Sequence, residues 1–329
     1  MGFWYRRGAI AWLLWPVSLV FCILVFTRRF FYWVRVLKST HPGVRVIIVG
    51  NITVGGSGKT PLVLWIAEFL KAKGRSPAIV SRGYGGRAEA PRAATVASDP
   101  AEVGDEPIVL ARRSGCPVWV GADRGQTIAA LRAANPGVDV VILDDGLQHY
   151  ALRRDLEIAV LDARGVGNGF LLPAGPLREP AWRLATVDCV VTNGHQRDKA
   201  FPMAVEGDVA HRMTDARDRQ PLTAFAGQSV HAVAGIGDPK RFFAHLAAAG
   251  VKVVPHPFPD HHPFTPADIS EATASHPDMP VLMTEKDAVK LRHAARPEWW
   301  VLPVTARPDP AFGDWLLGKT DEWRRSKAA

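Results

Sequence analysis

Val44-Arg-Val-Ile-Ile-Val-Gly50 runs directly into Asn51-Ile-Thr-Val-Gly-Gly-Ser-Gly-Lys-Thr60, and that loop into an apolar stretch from Pro61 to Lys73. The first seven residues, rich in β-branched side chains and bounded by Pro42-Gly43, read as a buried strand. A strand, a glycine-rich loop ending in Gly58-Lys59-Thr60 and a helix together make the arrangement that cradles phosphate. Glycines let backbone N–H groups turn toward phosphate oxygens, and the helix N-terminus adds its dipole. In this reading Gly55, Gly56, Ser57, Gly58, Lys59 and Thr60 hold the phosphates of ATP. Lys59 meets the β- and γ-phosphates, and Thr60 is a ligand of Mg²⁺. One position departs from the strict pattern: Thr53 stands where glycine is expected six residues before Lys59.

Downstream, the apolar run Val138–Leu143 ends in Asp144-Asp145. Acids at the carboxyl end of a strand that follows a phosphate loop are the usual second partner of Mg²⁺, so either aspartate is a candidate ligand. Further strands are expected at 78–81, 117–120, 158–161 and 187–192, with a helix over 123–134. Strands alternating with helices predict an α/β fold of the P-loop NTPase type, built on a mostly parallel sheet with ligands at the strands' carboxyl ends. At 329 residues the chain has room for a second domain.

Charge separates the two ends of the molecule. Residues 1–67 hold eight Lys or Arg and no Asp or Glu, which leaves 32 basic and 32 acidic residues for the remainder. The surplus of +8 therefore lies entirely in the N-terminal part. Gly8 to Phe26 is a run of nineteen uncharged residues, preceded by Arg6 and Arg7 and followed by Arg28 and Arg29. Eleven aromatic residues fall within the first 33, several at the ends of the run. Arginine beside aromatic residues at both ends of an apolar run is what a lipid–water interface selects. Two membrane arrangements follow, a span or a helix lying in the interface and bent near Pro16. A nucleic-acid-binding protein would spread its basic residues over a folded face, so no nucleic-acid partner is expected. Cys22, Cys116 and Cys189 lie far apart, odd in number and without a paired spacing, against both a disulfide framework and a zinc site.

Several linked stretches resemble one family. Gly50-Asn-Ile-Thr-Val-Gly-Gly-Ser-Gly-Lys-Thr-Pro61, Ser81-Arg-Gly-Tyr-Gly85, Val103-Gly-Asp-Glu-Pro107, Asp144-Asp-Gly-Leu-Gln-His149 and Leu172-Pro-Ala-Gly-Pro-Leu-Arg-Glu-Pro180 are similar, in order and spacing, to the tetraacyldisaccharide 4'-kinases (lipid A 4'-kinases). Ala234-Gly-Ile-Gly-Asp-Pro-Lys-Arg-Phe-Phe243, Phe258-Pro-Asp-His-His262 and Thr284-Glu-Lys-Asp-Ala-Val-Lys290 extend the likeness over nearly the whole chain. Leu147, where an aromatic is expected, and Asp238, where Asn is expected, depart from it. The resemblance implies transfer of the γ-phosphate of ATP to the 4'-hydroxyl of a lipid A disaccharide precursor at the cytoplasmic face of the bacterial inner membrane. It also implies an N-terminal membrane-associated segment (1–40), a kinase domain (41–202), a short β linker (203–226) and a smaller C-terminal α/β domain (227–329).

The same resemblance selects Asp105 as the carboxylate that takes the acceptor hydroxyl's proton, with His261 of the C-terminal domain oriented against it. Residue types alone rank His261 and His262 equally; the family's motif favours the first. Arg178-Glu179, in a Pro-rich loop, suits the substrate's existing 1-phosphate or the transferring group. Arg82 and Tyr84 follow a strand end, Gln148 and His149 follow the paired aspartates, and Asn168 lies in a Gly-rich loop; all are candidate substrate contacts. Thr284-Glu-Lys-Asp287 reads best as a capped helix start, with base binding as the weaker alternative. The competing class is a membrane-anchored P-loop NTPase switch or transport subunit, which has no need of Asp105 and His261.

Overall fold

The computed structural model describes residues 2–328. The chain packs as two compact units: one runs to Ser81, resumes over Asp123–Val205 and ends with the stretch from Ala306; the other comprises Arg82–Ala122 and Glu206–Thr305.

The first unit is organised by the strand Arg45–Gly50, which lies at the centre of a parallel sheet. It pairs on one side with Val140–Asp144 and on the other with Leu156–Asp162, registering Ile47 with Ile142 and with Leu156. Pro77–Ser81 extends the sheet beyond the first neighbour; Cys189–Asn193 and then Phe201–Glu206 extend it beyond the second. These strands are continuous apolar runs because both faces are covered. Lys59–Ala72 supplies part of that cover through Leu62, Val63, Ile66, Ala67 and Leu70, all fully buried. The C-terminal helix Pro310–Ala328 packs Phe312 against Trp65 and Phe201. The helix 124–134 starts where expected, with Asp123 as its cap. The expected α/β sheet is therefore present, with strand limits moved by one or two residues.

The long N-terminal helix Ala9–Trp33 lies against the same unit. Ser18 donates to the carbonyl of Leu171 at 2.9 Å and accepts from the amide of Ala174 at 3.0 Å. Trp12 meets Phe170, and Phe26 and Arg29 meet Trp182. Residues 11, 14, 18, 21, 25, 29 and 32, spaced by threes and fours, form the shielded stripe. The opposite face carries Ile10, Leu13, Val17, Val20 and Leu24, all exposed.

The second unit contains a six-stranded sheet in the order 219–221, 209–212, 299–302, 281–284, 229–234, 252–257, with the last four strands parallel. Trp299 and Trp300 are core residues on opposite faces of that sheet, one packed with Phe264 and Met283, the other with Phe225 and Leu282. The helices Asp105–Ser114 and Pro266–Ala272 and the antiparallel pair 92–94 and 118–120 complete it.

Candidate active site

In the first unit the central strand delivers the chain to the phosphate loop. The early part of that loop needs no glycine, because it is held as extended chain. Thr53 forms a bridge with Leu177, Val54 donates to Pro176 and Ile52 accepts from Arg178. The departure from the strict pattern is thus absorbed by pairing with the 176–178 segment. The later part does need one: Gly58 has φ +94°, and a Cβ there would sit 2.8 Å from the amide nitrogen of Asn193. The loop's carbonyls are tied from three sides, by Asn51 to Gly55 (3.2 Å), Asn193 to Ser57 (3.2 Å) and Arg164 to Gly56 (2.9 Å). Strand-end position at the sheet's carboxyl edge was the signal that singles out Asn193.

Asp144 ends its strand buried, and Asp145 turns out of it at φ +55°. The Asp145 carboxylate lies 3.7 Å from the Lys59 ammonium and 3.0 Å from the Arg178 guanidinium. Burial opposes its ionisation, but Lys59 and Arg178 outweigh burial and hold the carboxyl below its ordinary range. Arg178 also reaches Gln148 at 3.4 Å, and Gln148 donates to the Asn51 carbonyl at 3.1 Å. Lys59, Asp145, Arg178 and Gln148 therefore form one cluster around the loop. His149 adjoins it; burial, then the nearby Arg124, lowers its imidazole to about 4, so it is neutral at physiological pH.

Two other candidates belong to the scaffold. Asn168, 6% exposed, spends its amide on the carbonyls of Ala174 and Phe3 and its oxygen on the amide of Phe170. Glu179, 1% exposed, accepts from Arg183 at 3.1 Å and from the Tyr150 hydroxyl at 2.8 Å. Neither side chain is presented to a ligand.

The second unit holds the other cluster. Gly104 has φ +86°, and a Cβ there would meet the Tyr84 carbonyl at 2.7 Å, so only glycine admits this turn. Asp105 follows as the first residue of its helix and is 3% exposed. One carboxylate oxygen accepts from the Glu106 amide; the other accepts from His261 Nδ1 at 3.1 Å and is ion-paired with Lys290 Nζ at 3.0 Å. His261 itself sits at φ +59° with its ring 4.9 Å from that of Tyr84, and its Nε2 is 3.7 Å from the Asp260 carboxylate. His262 instead packs between Phe258 and Phe264, so the geometry separates two histidines that residue type could not. Tyr84 is 65% exposed and Arg82 is exposed beside it.

The two members of the pair are shifted in opposite senses. Burial would raise the Asp105 carboxyl, but the hydrogen bond from His261 and the charges of Lys290 and Lys286 hold it far below the usual carboxylate range. The hydrogen bond to Asp105 raises His261 above an ordinary imidazole, against the opposing effect of burial. Thr284 caps its short helix as expected, and Asp287 is buried behind it rather than offered to a base. Lys290 was not among the expected residues; its place three positions after Asp287, in the turn that follows the short helix Glu285–Ala288, was the available signal.

The family model of tetraacyldisaccharide-1-P 4'-kinase matches residues 10–321. The tetraacyldisaccharide 4'-kinase of Azoarcus sp. (strain BH72) is 50% identical over 330 aligned positions, covering 98% of this chain and 96% of its own. That of Alkalilimnicola ehrlichii is 52% identical, covering 94% and 93%. The crystal structure of LpxK from Aquifex aeolicus in complex with ATP superposes with a TM-score of 0.78 at 28% identity, covering 94% of this chain and 99% of that one.

Proposed function

The chain belongs to the tetraacyldisaccharide-1-P 4'-kinase family, and on that premise we propose that its two polar clusters divide the transfer between phosphate donor and sugar acceptor. The protein is a kinase that phosphorylates the 4'-hydroxyl of a tetraacyldisaccharide 1-phosphate in lipid A biosynthesis. The match over 10–321, with the phosphate loop intact, carries this reading. ATP is the donor; the loop's chemistry and the ATP complex of the Aquifex aeolicus relative support it.

Lys59 and the loop amides take the β- and γ-phosphates, which draws Lys59 off Asp145. Thr60, Asp144 and Asp145 offer a hydroxyl and carboxylates, the hard oxygen donors Mg²⁺ takes beside phosphate, so the donor set fits that ion. Bound Mg²⁺ supplies neutralisation of phosphate charge. Transfer forms a bond from the 4'-oxygen to the γ-phosphorus and breaks the bond to the bridging oxygen, releasing ADP. The hydroxyl's proton needs an acceptor. Asp105, held ionised by its neighbours, is a weak base. His261, donating to Asp105 through Nδ1, keeps its Nε2 lone pair for that proton. The acceptor role thus passes from Asp105 to His261, with Asp105 as the orienting anion. Arg82, Tyr84, Gln148, His149 and Arg178 are assigned to the sugar and phosphates, and Asn168 and Glu179 to the loops that carry them.

The exposed apolar face of the helix 9–33, with its arginine and aromatic flanks, supports a helix lying in the membrane interface. Use of ATP assigns it to the cytoplasmic face of the inner membrane. The test supplies γ-labelled ATP with and without the disaccharide lipid. Label appearing on the lipid is expected; release to water irrespective of lipid would favour an NTPase switch.

A further inference from the structure

Besides His261, Asp105 has Lys290 directly against its carboxylate, and the proposed transfer gives that lysine no role. Lys290 approaches the same carboxylate oxygen that His261 holds, at 3.0 Å against 3.1 Å. Its side chain is 8% exposed, so the contact is shielded from water and salt. A second carboxylate, Asp287, lies 3.4 Å away on its other side. Asp287 is fully buried and fixed by the Thr284 hydroxyl at 2.6 Å and the Gly235 amide at 3.1 Å. The Phe264 ring closes the remaining side, 5.6 Å from the ammonium. The short helix Glu285–Ala288, just before Lys290, is tied to the helix of Asp105 through Lys286 and Glu106. An ammonium placed this way is part of a chain of contacts: Thr284, Asp287, Lys290, Asp105, His261.

We propose that Lys290 is a positioning residue for the phosphoryl transfer, clamping the Asp105 carboxylate so that Asp105 orients the His261 imidazole rather than competing for its proton. The inference rests on the reading of His261 as base. An anion as close as Asp105 would by itself draw a proton onto the imidazole and keep it there. A cation on the same oxygen offsets part of that field, leaving His261 able to release its proton nearer neutrality. The groups facing His261 are Asp105, Asp260, Lys286 and the Tyr84 ring; those facing Lys290 are Asp105, Asp287 and the Phe264 ring. Burial raises the Asp287 carboxyl, and the Lys290 charge opposes that shift.

Lys290→Met removes a cation beside the Asp105–His261 pair, so the acid limb of kcat/KM moves to higher pH and the His261 ring resonances titrate higher in the intact protein in detergent micelles. Turnover at neutral pH falls by on the order of tenfold or more, as outer partners of catalytic groups typically show. KM for ATP stays where it was, and Lys290→Arg recovers most of the loss. Because Lys290→Met leaves two carboxylates near one buried place, the double variant Lys290→Met/Asp287→Asn repeats the measurement with one of them neutralised. If turnover falls while neither the limb nor the resonances move, Lys290 is merely structural and the proposal is overturned; unchanged turnover overturns it as well. His261→Ala is the separate control on the premise: activity surviving in it would remove His261 as base, while the titration in the Lys290 variants would still decide the coupling.

Discussion

In the proposed mechanism Lys59 and Asp105 contribute in two different ways. Lys59 holds a charge that is most useful when the γ-phosphate carries its transition-state charge, so Lys59→Ala is expected to lower turnover by orders of magnitude. Near-normal turnover in that variant would show the loop to be non-catalytic. In the proposed mechanism Asp105 acts through His261, so the losses should not add: Asp105→Ala/His261→Ala is expected to be little worse than the worse single variant. Additive losses would mean that His261 works separately, for instance on substrate binding. Their pH behaviour follows from the direction of the shifts. Asp105 raises His261, and activity that needs neutral imidazole appears as pH rises through that elevated value. Asp105→Asn removes the anion, so the surviving activity should have its acid limb at lower pH, opposite in sense to Lys290→Met. A limb unmoved in pH–rate profiles of Asp105→Asn would separate the imidazole from the rate.

The phosphate loop was legible because everything it requires is contiguous: a β-branched strand, glycines at set spacing, and an apolar helix. Gly58 shows how narrow that requirement is. Placing a Cβ at φ +94° costs about 1–2 kcal/mol locally, and the amide of Asn193 must also move. Gly58→Ala should therefore weaken ATP binding, read by titration calorimetry, while the melting temperature falls by only a few degrees. Unchanged affinity would mean that the loop tolerates a second conformation. What the sequence hid is non-local. Asp105 and His261 are 156 residues apart and meet through a glycine turn and a left-handed His261, so only the likeness to a family joined them. Asn168 and Glu179 look like ligand residues, since polar side chains in Gly- and Pro-rich loops often are. Their burial depends on partners far along the chain, Phe3 for one and Tyr150 with Arg183 for the other. Lys290 needed both kinds of knowledge, its local three-residue spacing from Asp287 and the distant position of Asp105.

Across the whole chain, the basic surplus and the apolar helix Ala9–Trp33 coincide in the N-terminal part, and the proposed membrane contact rests on both. A helix of 25 residues is long enough, at roughly 37 Å, to cross a hydrocarbon core of about 30 Å. One stripe of it, however, is committed to the protein along its length, from Ala11 and Ser18 to Arg29 and Tyr32. The face left over is apolar, and burying its large side chains in lipid is worth roughly 1.5–3 kcal/mol each. Deleting residues 1–38 should release most of the protein from membranes, with some residual binding because the substrate is itself a lipid. That deletion also removes Trp4, Arg7 and Ser18 from the 168–174 loop, so a loss of activity in it has two explanations. The triple substitution Leu13→Glu, Val20→Glu and Leu24→Glu is the cleaner experiment. Those three residues share the outward face and are exposed, so the shielded stripe and its hydrogen bonds survive. The expected result is a folded kinase that stays in the supernatant on flotation with anionic vesicles and retains its melting temperature and nucleotide affinity. Turnover should fall on substrate presented in membranes and recover on substrate dispersed in detergent, since only the encounter with the membrane has been changed. A triple variant that floats with vesicles as fully as the parent chain would move the anchor away from this helix.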